Sequence, residues 1–458
     1  MEHQVTRNPL GCEPVGKLMT KFAVPSIIAM IVGALYNIVD QLFIGQAVGT
    51  LGNAATNIAF PLSTICLSLA LLFGIGGASS FNLSMGKGDR ESAGFYVGNA
   101  AVMLVLCGTI IAILSEIFMT PMLLLFGSPA DVLPYAEEYV RITALGFPML
   151  LLTIGGGHLI RADGSPQLAM FCNLSGAIIN TILDALFVMV LDMGMAGAAL
   201  ATIIGQIFSA MIVIVYLCHY KTVKLELRHL KIHWNYLSRV AAIGTASFFN
   251  QLAIMLVQVV MNNLLKHYGE NSVYGASIPI AAAGIAVKVS QLFFSVVIGL
   301  SQGSQPIESF NYGAKQYERV KKAYYLALGA GAAISAVGFL LFQICPRQIL
   351  AMFGSGSPEY YAFGIKLFRI YLLGTIVNFL QPITSTFFTS IGKPIKGTFL
   401  SLTRQILFLL PLMVVLPVFF GIDGILYAGP VSDGMAAVVT VIMAMLEWKQ
   451  MNAEAKTC

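Results

Sequence analysis

Two aspartates, an asparagine and a threonine lie at similar depths inside strongly apolar segments, where polar side chains are costly. Asp40 lies near the end of the first apolar segment, Asp184 near the end of the fifth, and Thr202 near the start of the sixth. At 1.5 Å per helical residue, all three lie about 10 Å below the same predicted membrane surface. Asn180 precedes Asp184 by four residues and therefore shares its helix face.

Such a set of oxygen-bearing side chains can bind a small cation. Carboxylate, amide and hydroxyl oxygens are hard ligands that suit Na⁺. Two buried carboxylates close together also titrate as a pair, so that one of them can bind and release H⁺ near neutral pH. Tyr139, in the fourth segment, reaches a similar depth. The residues alone leave both ions open, and they also leave open that Asp40 only caps a helix end and that Asp184 only satisfies neighbouring backbone groups.

The composition predicts that most of the protein surface faces lipid. Of the 458 residues, 57% are hydrophobic and 10% are charged, whereas soluble domains are roughly half apolar and a quarter charged. The net charge of +5 is modest, and nothing in its distribution supports nucleic-acid binding. The seven cysteines are scattered singly without CxxC spacing, so we expect no zinc site, no redox site and no cofactor.

Twelve segments are long and apolar enough to cross a bilayer, which takes about 20 residues. In the first half they are 18–47, 52–84, 95–116, 133–156, 166–191 and 195–219. In the second half they are 237–265, 275–304, 319–344, 359–386, 394–420 and 424–446. The sequence therefore predicts an all-α integral membrane protein.

Lysine and arginine are distributed very unequally between the two predicted sides of the membrane. Nineteen of them lie at the termini or in the even-numbered connections, and only Lys266 and Arg347 lie on the other side. Positive residues are retained in the cytoplasm. We therefore expect a multi-pass protein of the plasma (inner) membrane with both termini cytoplasmic.

The two halves of the sequence match when one is shifted by about 227 positions, the offset between Gly194 and Gly421. The other matches are Phe126-Gly127-Ser128 with Phe353-Gly354-Ser355, Tyr139-Val140-Arg141 with Leu367-Phe368-Arg369, Gly164-Ser165-Pro166 with Gly392-Lys393-Pro394, and Gly197 with Gly424. Because each half has an even number of spans, the repeats are parallel, which is typical of transporters with a site between the halves. A channel or a scaffold remains an alternative.

The repeat also predicts how the chain is divided. We expect a cytoplasmic N-terminal segment at 1–17, an N-lobe at 18–219 and a basic cytoplasmic linker at 220–236. A C-lobe at 237–446 and a cytoplasmic tail at 447–458 follow.

The C-terminal half carries different charges and does not repeat the acidic site, because apolar Leu412 occupies the position that matches Asp184. Lys288, Arg404 and Asp433 lie near the middle of predicted spans 8, 11 and 12. They are either structural ion pairs or contacts to a substrate in a cleft. Glu308 lies near the cytoplasmic end of span 8. We expect its side chain to be solvated or to form part of a gate.

Several short motifs are spread along the whole chain. They are Leu35-Tyr36-Asn37-Ile38-Val39-Asp40, Ile160-Arg161-Ala162-Asp163-Gly164, Ile179-Asn180-Thr181-Ile182-Leu183-Asp184, Gln305-Pro306 and Phe310-Asn311-Tyr312-Gly313-Ala314-Lys315. Through them the chain resembles the multidrug and toxic compound extrusion (MATE) family over essentially its full length. The resemblance implies twelve helices in two pseudo-symmetric six-helix lobes (a MATE/MOP-type fold), a V-shaped central cleft, and export of cationic or amphiphilic compounds driven by inward H⁺ or Na⁺.

The resemblance is greatest to the DinF-like and MepA-like branches, in which the cation site lies in the N-lobe. The residues that match this site here are Asp40, Asn180, Asp184 and Thr202, with Tyr36 and Tyr139 nearby. In the family the first span bends at a proline when the site is protonated, and the matching residue is Pro25.

Two features depart from the family. The run Ile154-Gly155-Gly156-Gly157 replaces polar residues that some relatives place in the fourth span. The C-lobe carboxylates of the NorM-like branch are not apparent in the equivalent spans, and only Asp433 keeps that coupling scheme open.

The leading hypothesis is a secondary active multidrug efflux antiporter that works as a monomer, by alternating access of the two lobes. A lipid-linked oligosaccharide flippase is an alternative; it predicts a strongly cationic cleft for pyrophosphate, for which only Lys288 and Arg404 are available. An intramembrane enzyme or a receptor is a further alternative, but no HExxH, GxSxG or GxGD motif is present. We therefore expect no enzymatic activity. The substrate and the choice between H⁺ and Na⁺ are not determined by these residues.

Overall fold

The computed structural model describes residues 8–275, 277–352 and 357–457, and these are almost entirely helical. Within them, eleven helices are long and apolar enough to cross a membrane, and one bent pair makes a twelfth span. The protein is a multi-pass membrane protein, and the predicted fold class is confirmed. Residues 1–7 of the predicted N-terminal segment and Phe353-Gly354-Ser355 of the predicted repeat lie outside the described residues.

The first six spans form the N-lobe. They are α1 (Val15–Ala47), α2 (Thr50–Lys87), α3 (Arg90–Ile117), α4 (Leu133–Leu145 and Phe147–Ala162), α5 (Pro166–Asp184, continued by a π-helical turn at Ala185–Val190) and α6 (Gly194–Cys218). The two segments of α4 are bent by 56° relative to each other. Short helices at Pro9–Cys12 and Met119–Leu125 precede α1 and follow α3.

The last six spans form the C-lobe. They are α7 (Trp234–Glu270), α8 (Ser277–Gly313), α9 (Tyr317–Ile344), α10 (Pro358–Tyr371, Leu372–Ile376 and Leu380–Ser390), α11 (Pro394–Leu402, a π-helical segment at Thr403–Leu409, and Leu410–Phe420) and α12 (Ile422–Thr457). A short helix at Pro346–Met352 follows α9. Helix α12 continues through most of the predicted tail, because buried Glu447 on this helix pairs with Lys393 and Lys396 and holds it against the lobe.

The backbone of the two lobes repeats where the sequence repeats. Gly164 and Gly392 both have positive φ, at 81° and 74°, and Gly194 and Gly421 have φ values of 57° and 59°. Glycine adopts this left-handed region without steric cost, so the matching glycines form matching turns. Helix α1 packs on α5 as α7 packs on α11, and α2 packs on α4 as α8 packs on α10. The two pseudo-symmetric six-helix lobes are thus confirmed.

The connection between the lobes is attached to the N-lobe. It contains a short 3₁₀ helix at Leu227–Leu230. The Asn99 side chain on α3 donates to the backbone carbonyls of His229 (3.3 Å) and Lys231 (3.1 Å). Its amide oxygen accepts a hydrogen bond from the His233 backbone N–H at 2.9 Å. These contacts hold the connection against α3.

The lobes meet through α1 and α2 on one side and α7 and α8 on the other. At this interface a glycine of one helix lies directly against the partner helix; a Cβ atom on Gly299, for example, would lie 2.6 Å from the Ile27 Cα atom. The inter-lobe glycine contacts are Gly76–Val240, Gly244–Leu72, Gly299–Ile27, Gly303–Ala23, Gly86–Phe310 and Gly313–Leu83. All of them lie in the half of the bundle that the charge distribution predicts to be cytoplasmic.

Polar side chains join the lobes in the same half. Arg161 at the end of α4 donates to the Gln302 side chain on α8 at 3.1 Å. Gln305, one turn further along α8, donates to the Ser79 hydroxyl on α2 at 2.7 Å. All four side chains are buried. The bundle is therefore closed between the lobes at this end.

Candidate functional site

The two predicted aspartates lie side by side between α1 and α5, which pack along each other within the N-lobe. The carboxyl groups of Asp40 and Asp184 lie within hydrogen-bonding reach of each other and interact electrostatically. A hydrogen bond between two carboxyl groups requires a proton on one of them. Asp184 is fully buried, and one oxygen of each carboxyl, Oδ1, has no hydrogen-bond partner. One proton shared by the two carboxyl groups would satisfy them as a pair, and the two Oδ1 atoms keep free lone pairs.

Asn180 and Thr202 complete the buried polar group around Asp184. Asn180 lies one helical turn before Asp184 on α5, and its side chain lies 3.3 Å from the Thr202 hydroxyl on α6. With the amide orientation that satisfies both of its ends, Asn180 donates to Asp184 Oδ2 at 3.1 Å and accepts from the Thr202 hydroxyl. The structure therefore brings the predicted amide and hydroxyl next to the carboxyl pair.

Two tyrosines border the same chamber. Tyr36 precedes Asp40 by four residues on α1, so both side chains lie on one face of that helix. The Tyr139 hydroxyl on α4 lies near Thr202, and both phenols interact electrostatically with the two carboxyl groups. All six residues predicted for the cation site thus lie together, on four helices of the N-lobe.

The backbone of α5 changes at the site. The helix is α-helical up to Asp184 and π-helical over the next six residues, Ala185–Val190. Single π turns inside helices are common at functional sites, because they change the direction of side chains and loosen the backbone ladder. Nothing in the sequence signalled this turn, since no proline or glycine interrupts the segment.

The three charged residues predicted for the C-lobe have different surroundings. Arg404 on α11 forms an ion pair with buried Asp433 on α12. Tyr371 on α10 interacts electrostatically with both. The sequence left open whether these residues form structural ion pairs or contact a substrate. Arg404 and Asp433 form a structural ion pair. Lys288 on α8 is exposed and lies apart from this pair.

Pro25 lies inside α1, between two inter-lobe glycine contacts. It follows Ala23, which lies against Gly303, and precedes Ile27, which lies against Gly299. A proline has no N–H group, so the carbonyl four residues earlier lacks its helical hydrogen bond. The missing backbone hydrogen bond of α1 therefore lies where this helix contacts the opposite lobe.

Glu308 on α8 is not solvated, contrary to one of the two expectations for it, because it is fully buried. The hydroxyls of Ser304 and Ser390 are its nearest polar groups, and neither carboxylate oxygen has a well-formed hydrogen bond. Tyr324 on α9 also faces it. The carboxyl lies one turn beyond Ser304 at the closed end of the bundle.

Asp163 belongs to the motif Ile160-Arg161-Ala162-Asp163-Gly164 and lies in the turn between α4 and α5, where it binds the chain that follows α6. Its carboxyl accepts hydrogen bonds from the Tyr216 hydroxyl (2.8 Å) and from the backbone N–H groups of Lys221 (2.7 Å) and Thr222 (3.1 Å). Burial raises the pKa of the Asp163 carboxyl, and the hydrogen bonds it accepts act in the opposite direction. Its partners lie more than 50 positions away in the chain, so sequence spacing did not indicate the network.

The N-lobe chamber has the chemistry of a site for one small cation. Among the described residues, no group of three or more His, Cys, Asp or Glu side chains is placed to hold a metal ion. A Na⁺ ion would therefore depend on two carboxylates and on the neutral oxygens of Asn180 and Thr202, which are ligands that suit it. A proton needs only the carboxyl pair.

Comparison with known proteins agrees with the architecture. The sequence pattern of the MatE family matches residues 25–186 and 246–415. The multidrug export protein MepA of Staphylococcus haemolyticus is 22% identical over 93% of this chain and 92% of its own length. A multidrug resistance MATE transporter of the MOP superfamily, solved in an outward-facing conformation, superimposes with a TM-score of 0.89 at 20% identity, covering 98% of both chains. A MOP superfamily transporter from Pyrococcus furiosus superimposes with a TM-score of 0.86, at the same identity and coverage.

Two parallel six-helix lobes that meet at an interface define the class of the fold, which is the same as that of the solved MATE transporter compared above. The matched segments cover most of both lobes and include Asp40, Asn180 and Asp184. The chain belongs to the MatE family.

Proposed function

We propose that this protein is a secondary active multidrug efflux antiporter. It exports cationic or amphiphilic organic compounds in exchange for H⁺ or Na⁺, by alternating access of its two lobes. The observation that carries the proposal is the close pair of Asp40 and Asp184 carboxyl groups between α1 and α5 inside the N-lobe, each with an unpartnered buried oxygen. The curated relative from Staphylococcus haemolyticus is named as a multidrug export protein, which supports the substrate class.

The carboxyl pair supports coupling because its charge depends on the bound cation. With one shared proton the pair carries a single negative charge, and it carries the same charge with Na⁺ bound between two carboxylates. Without either cation, two buried negative charges repel each other at short range. A cation can drive transport only if the protein binds it with different affinities in its two conformational states. Asp184 is buried in the present state, so a change in its burial would change the cation affinity of the chamber.

Helix α1 connects the cation site with the lobe interface. Asp40 faces α5 inside the N-lobe, whereas Ala23 and Ile27 lie against Gly303 and Gly299 of the C-lobe. A change of charge at Asp40 therefore acts on a helix that is itself part of the inter-lobe contact. Pro25, between the two contacts, allows that helix to bend there. The lobes then rock between a state closed at the cytoplasmic end and one open there.

The orientation follows from the charge distribution. We place both termini in the cytoplasm and the protein in the plasma membrane, because 19 Lys and Arg residues lie on the predicted cytoplasmic side. One chain contains both lobes, the cation site and the cleft, so a monomer has every part that the mechanism needs. The flippase alternative loses support, because Arg404 is neutralised by Asp433 and does not add to a cationic cleft.

The test is dye efflux from reconstituted vesicles with the H⁺ and Na⁺ gradients imposed separately. Wild-type protein should move ethidium against its gradient with one of the two ions. Asp40→Asn and Asp184→Asn should abolish this coupled efflux. Asp423→Asn is the matched control, because Asp423 also lies in a span but pairs with half-exposed Lys366, and such exposed pairs contribute about 0–1 kcal/mol. Wild-type efflux by both N-lobe variants would refute the proposal.

A further inference from the structure

Lys288 is a charged residue inside the membrane that the coupling mechanism does not use. It lies seven residues before the midpoint of α8 (Ser277–Gly313), which is about 10 Å along the helix axis. The hydrocarbon core extends about 15 Å to either side of the bilayer centre. The side chain is nevertheless exposed. A lysine at such depth is costly unless it reaches water or an anion.

Lys288 lies on the side of α8 that faces the N-lobe. It precedes Gly299 by 11 residues, about three helical turns, so both lie on one face of the helix. Gly299 lies against Ile27 of α1, which identifies that face as the inter-lobe face. Gly284, one turn before Lys288, has open space where a Cβ would be, with no atom within 4 Å. Among the described residues, no atom therefore covers α8 at Gly284 as Ile27 covers it at Gly299, and the exposed Lys288 side chain lies on this uncovered part of the inter-lobe face.

The neighbouring faces of α7 and α1 carry no negative charge to pair with Lys288. On α7, Gln258 and Asn262 lie about four and five turns beyond the contact at Gly244 and on the same face, with spacings of 14 and 18 residues. The Gln258 amide donates to Asn262 at 3.2 Å, which leaves the Asn262 amide N–H groups available. On α1, the face that contacts α8 at Ile27 continues as apolar Ala34 and Ile38.

Lys288 has no partner of its own among the residues that the structure describes. No ion pair of the described chain includes it, and buried Asp433, on α12 of the same lobe, is engaged by Arg404. Asp40 is on the opposite side of α1, turned toward Asp184. The cleft therefore presents one uncompensated positive charge next to amide donors and apolar side chains.

We propose that the cleft contains an anion-binding subsite at Lys288, and that its ligands are amphiphiles with one carboxylate, sulfonate or phosphate group. The anionic group pairs with the Lys288 ammonium, the Asn262 amide donates to it, and the apolar part lies against α1. This subsite rests on the proposed export function and narrows its substrate class to compounds that include amphiphilic anions. An ammonium attracts such a group as a point charge and does not require a fixed geometry.

The test is direct binding of a sulfonate dye, 8-anilinonaphthalene-1-sulfonate, to purified protein in nanodiscs of phosphatidylcholine, with protein-free nanodiscs subtracted. Removing a charged hydrogen-bond partner costs roughly tenfold to hundredfold in affinity. We expect Lys288→Gln to weaken dye binding by that factor and Lys288→Arg to restore it. Ethidium binding should be the same in all three proteins, which shows that the variants are folded. Lys266→Gln is the matched control, because Lys266 is also an exposed lysine, at the outer end of α7.

Equal affinity of wild-type protein and Lys288→Gln for the sulfonate dye would overturn the subsite. A second series with phosphatidylglycerol in the nanodiscs identifies the source of the anion. Displacement of the dye by this lipid, only when Lys288 is present, supports a lipid headgroup as ligand; no displacement supports a free amphiphile. If Lys288-dependent binding is found but gradient-driven ethidium efflux is absent, the antiport proposal fails and the subsite stands.

Discussion

Gly244 offers a way to open the closed end of the bundle with a single methyl group. Its backbone on α7 lies against α2, and a Cβ atom at this position would overlap the Leu72 carbonyl oxygen and lie 2.7 Å from the Leu72 Cα atom. The obstructing atoms are backbone atoms of a long helix, which cannot rotate away as a side chain could. In Gly244→Ala, α2 and α7 must therefore move apart at the closed end of the bundle.

The size of the effect follows from the cost of overpacking. An added methyl group in a well-packed interface typically costs about 1–3 kcal/mol. If that cost falls only on the state closed at the cytoplasmic end, the population ratio shifts by roughly fivefold to 150-fold toward the open state, at 1.4 kcal/mol per factor of ten. Gly329→Ala on α9 is the matched control, because its added Cβ would meet no atom within 4 Å.

The assay measures access of a thiol reagent to the lobe interface. Ser80 lies one turn beyond Gly76 on α2; it is fully buried and its hydroxyl has no hydrogen-bond partner. We expect Ser80→Cys, in a background without the native cysteines, to react slowly with a charged maleimide in nanodiscs. Addition of Gly244→Ala should raise the rate by at least about fivefold, whereas Gly329→Ala should leave it unchanged. Equal rates for the two alanine variants would refute the role of the glycine contacts in closure.

Three further predictions concern buried charges outside the cation site. Asp433→Ala should lower the unfolding free energy by about 3–5 kcal/mol, because it leaves the Arg404 charge without its buried partner; a loss below 1 kcal/mol in thermal or denaturant unfolding would contradict this. Glu308→Gln should change stability by less than about 1 kcal/mol, since the buried carboxyl has no cationic partner to lose; a large drop in melting temperature would show that the carboxyl is engaged. Asp163→Ala should cost at least about 2 kcal/mol, because it leaves two backbone N–H groups without acceptors, and limited proteolysis after α6 should become faster; unchanged digestion would argue against its anchoring role.

The fold was predictable because its signals are local in sequence. The twelve spans are long apolar runs, and the repeat was visible in glycines such as Gly194 and Gly421, whose positive φ values no other residue type adopts as easily. The grouping of Asp40 with Asp184 was also predictable, because depth along a helix can be counted from the ends of the spans.

The remaining features depend on partners that sequence spacing does not reveal. Arg404 and Lys288 are both basic residues within spans, but only the first meets an acid, and this difference arises from the packing of α11 on α12. Gly244 could have been a simple packing glycine within one lobe; its contact with Leu72 exists only when the lobes assemble. Burial of Glu308 likewise follows from the arrangement of neighbouring helices.

Cation release when the purified protein binds substrate is the decisive experiment for the Asp40–Asp184 site. Protein in weakly buffered solution is titrated with ethidium while H⁺ and Na⁺ electrodes record the bulk concentrations. We expect release of one of these ions from wild-type protein, and little or none from Asp40→Asn or Asp184→Asn. Release of the same amount of cation from both variants would contradict the claim that this carboxyl pair holds the coupling ion.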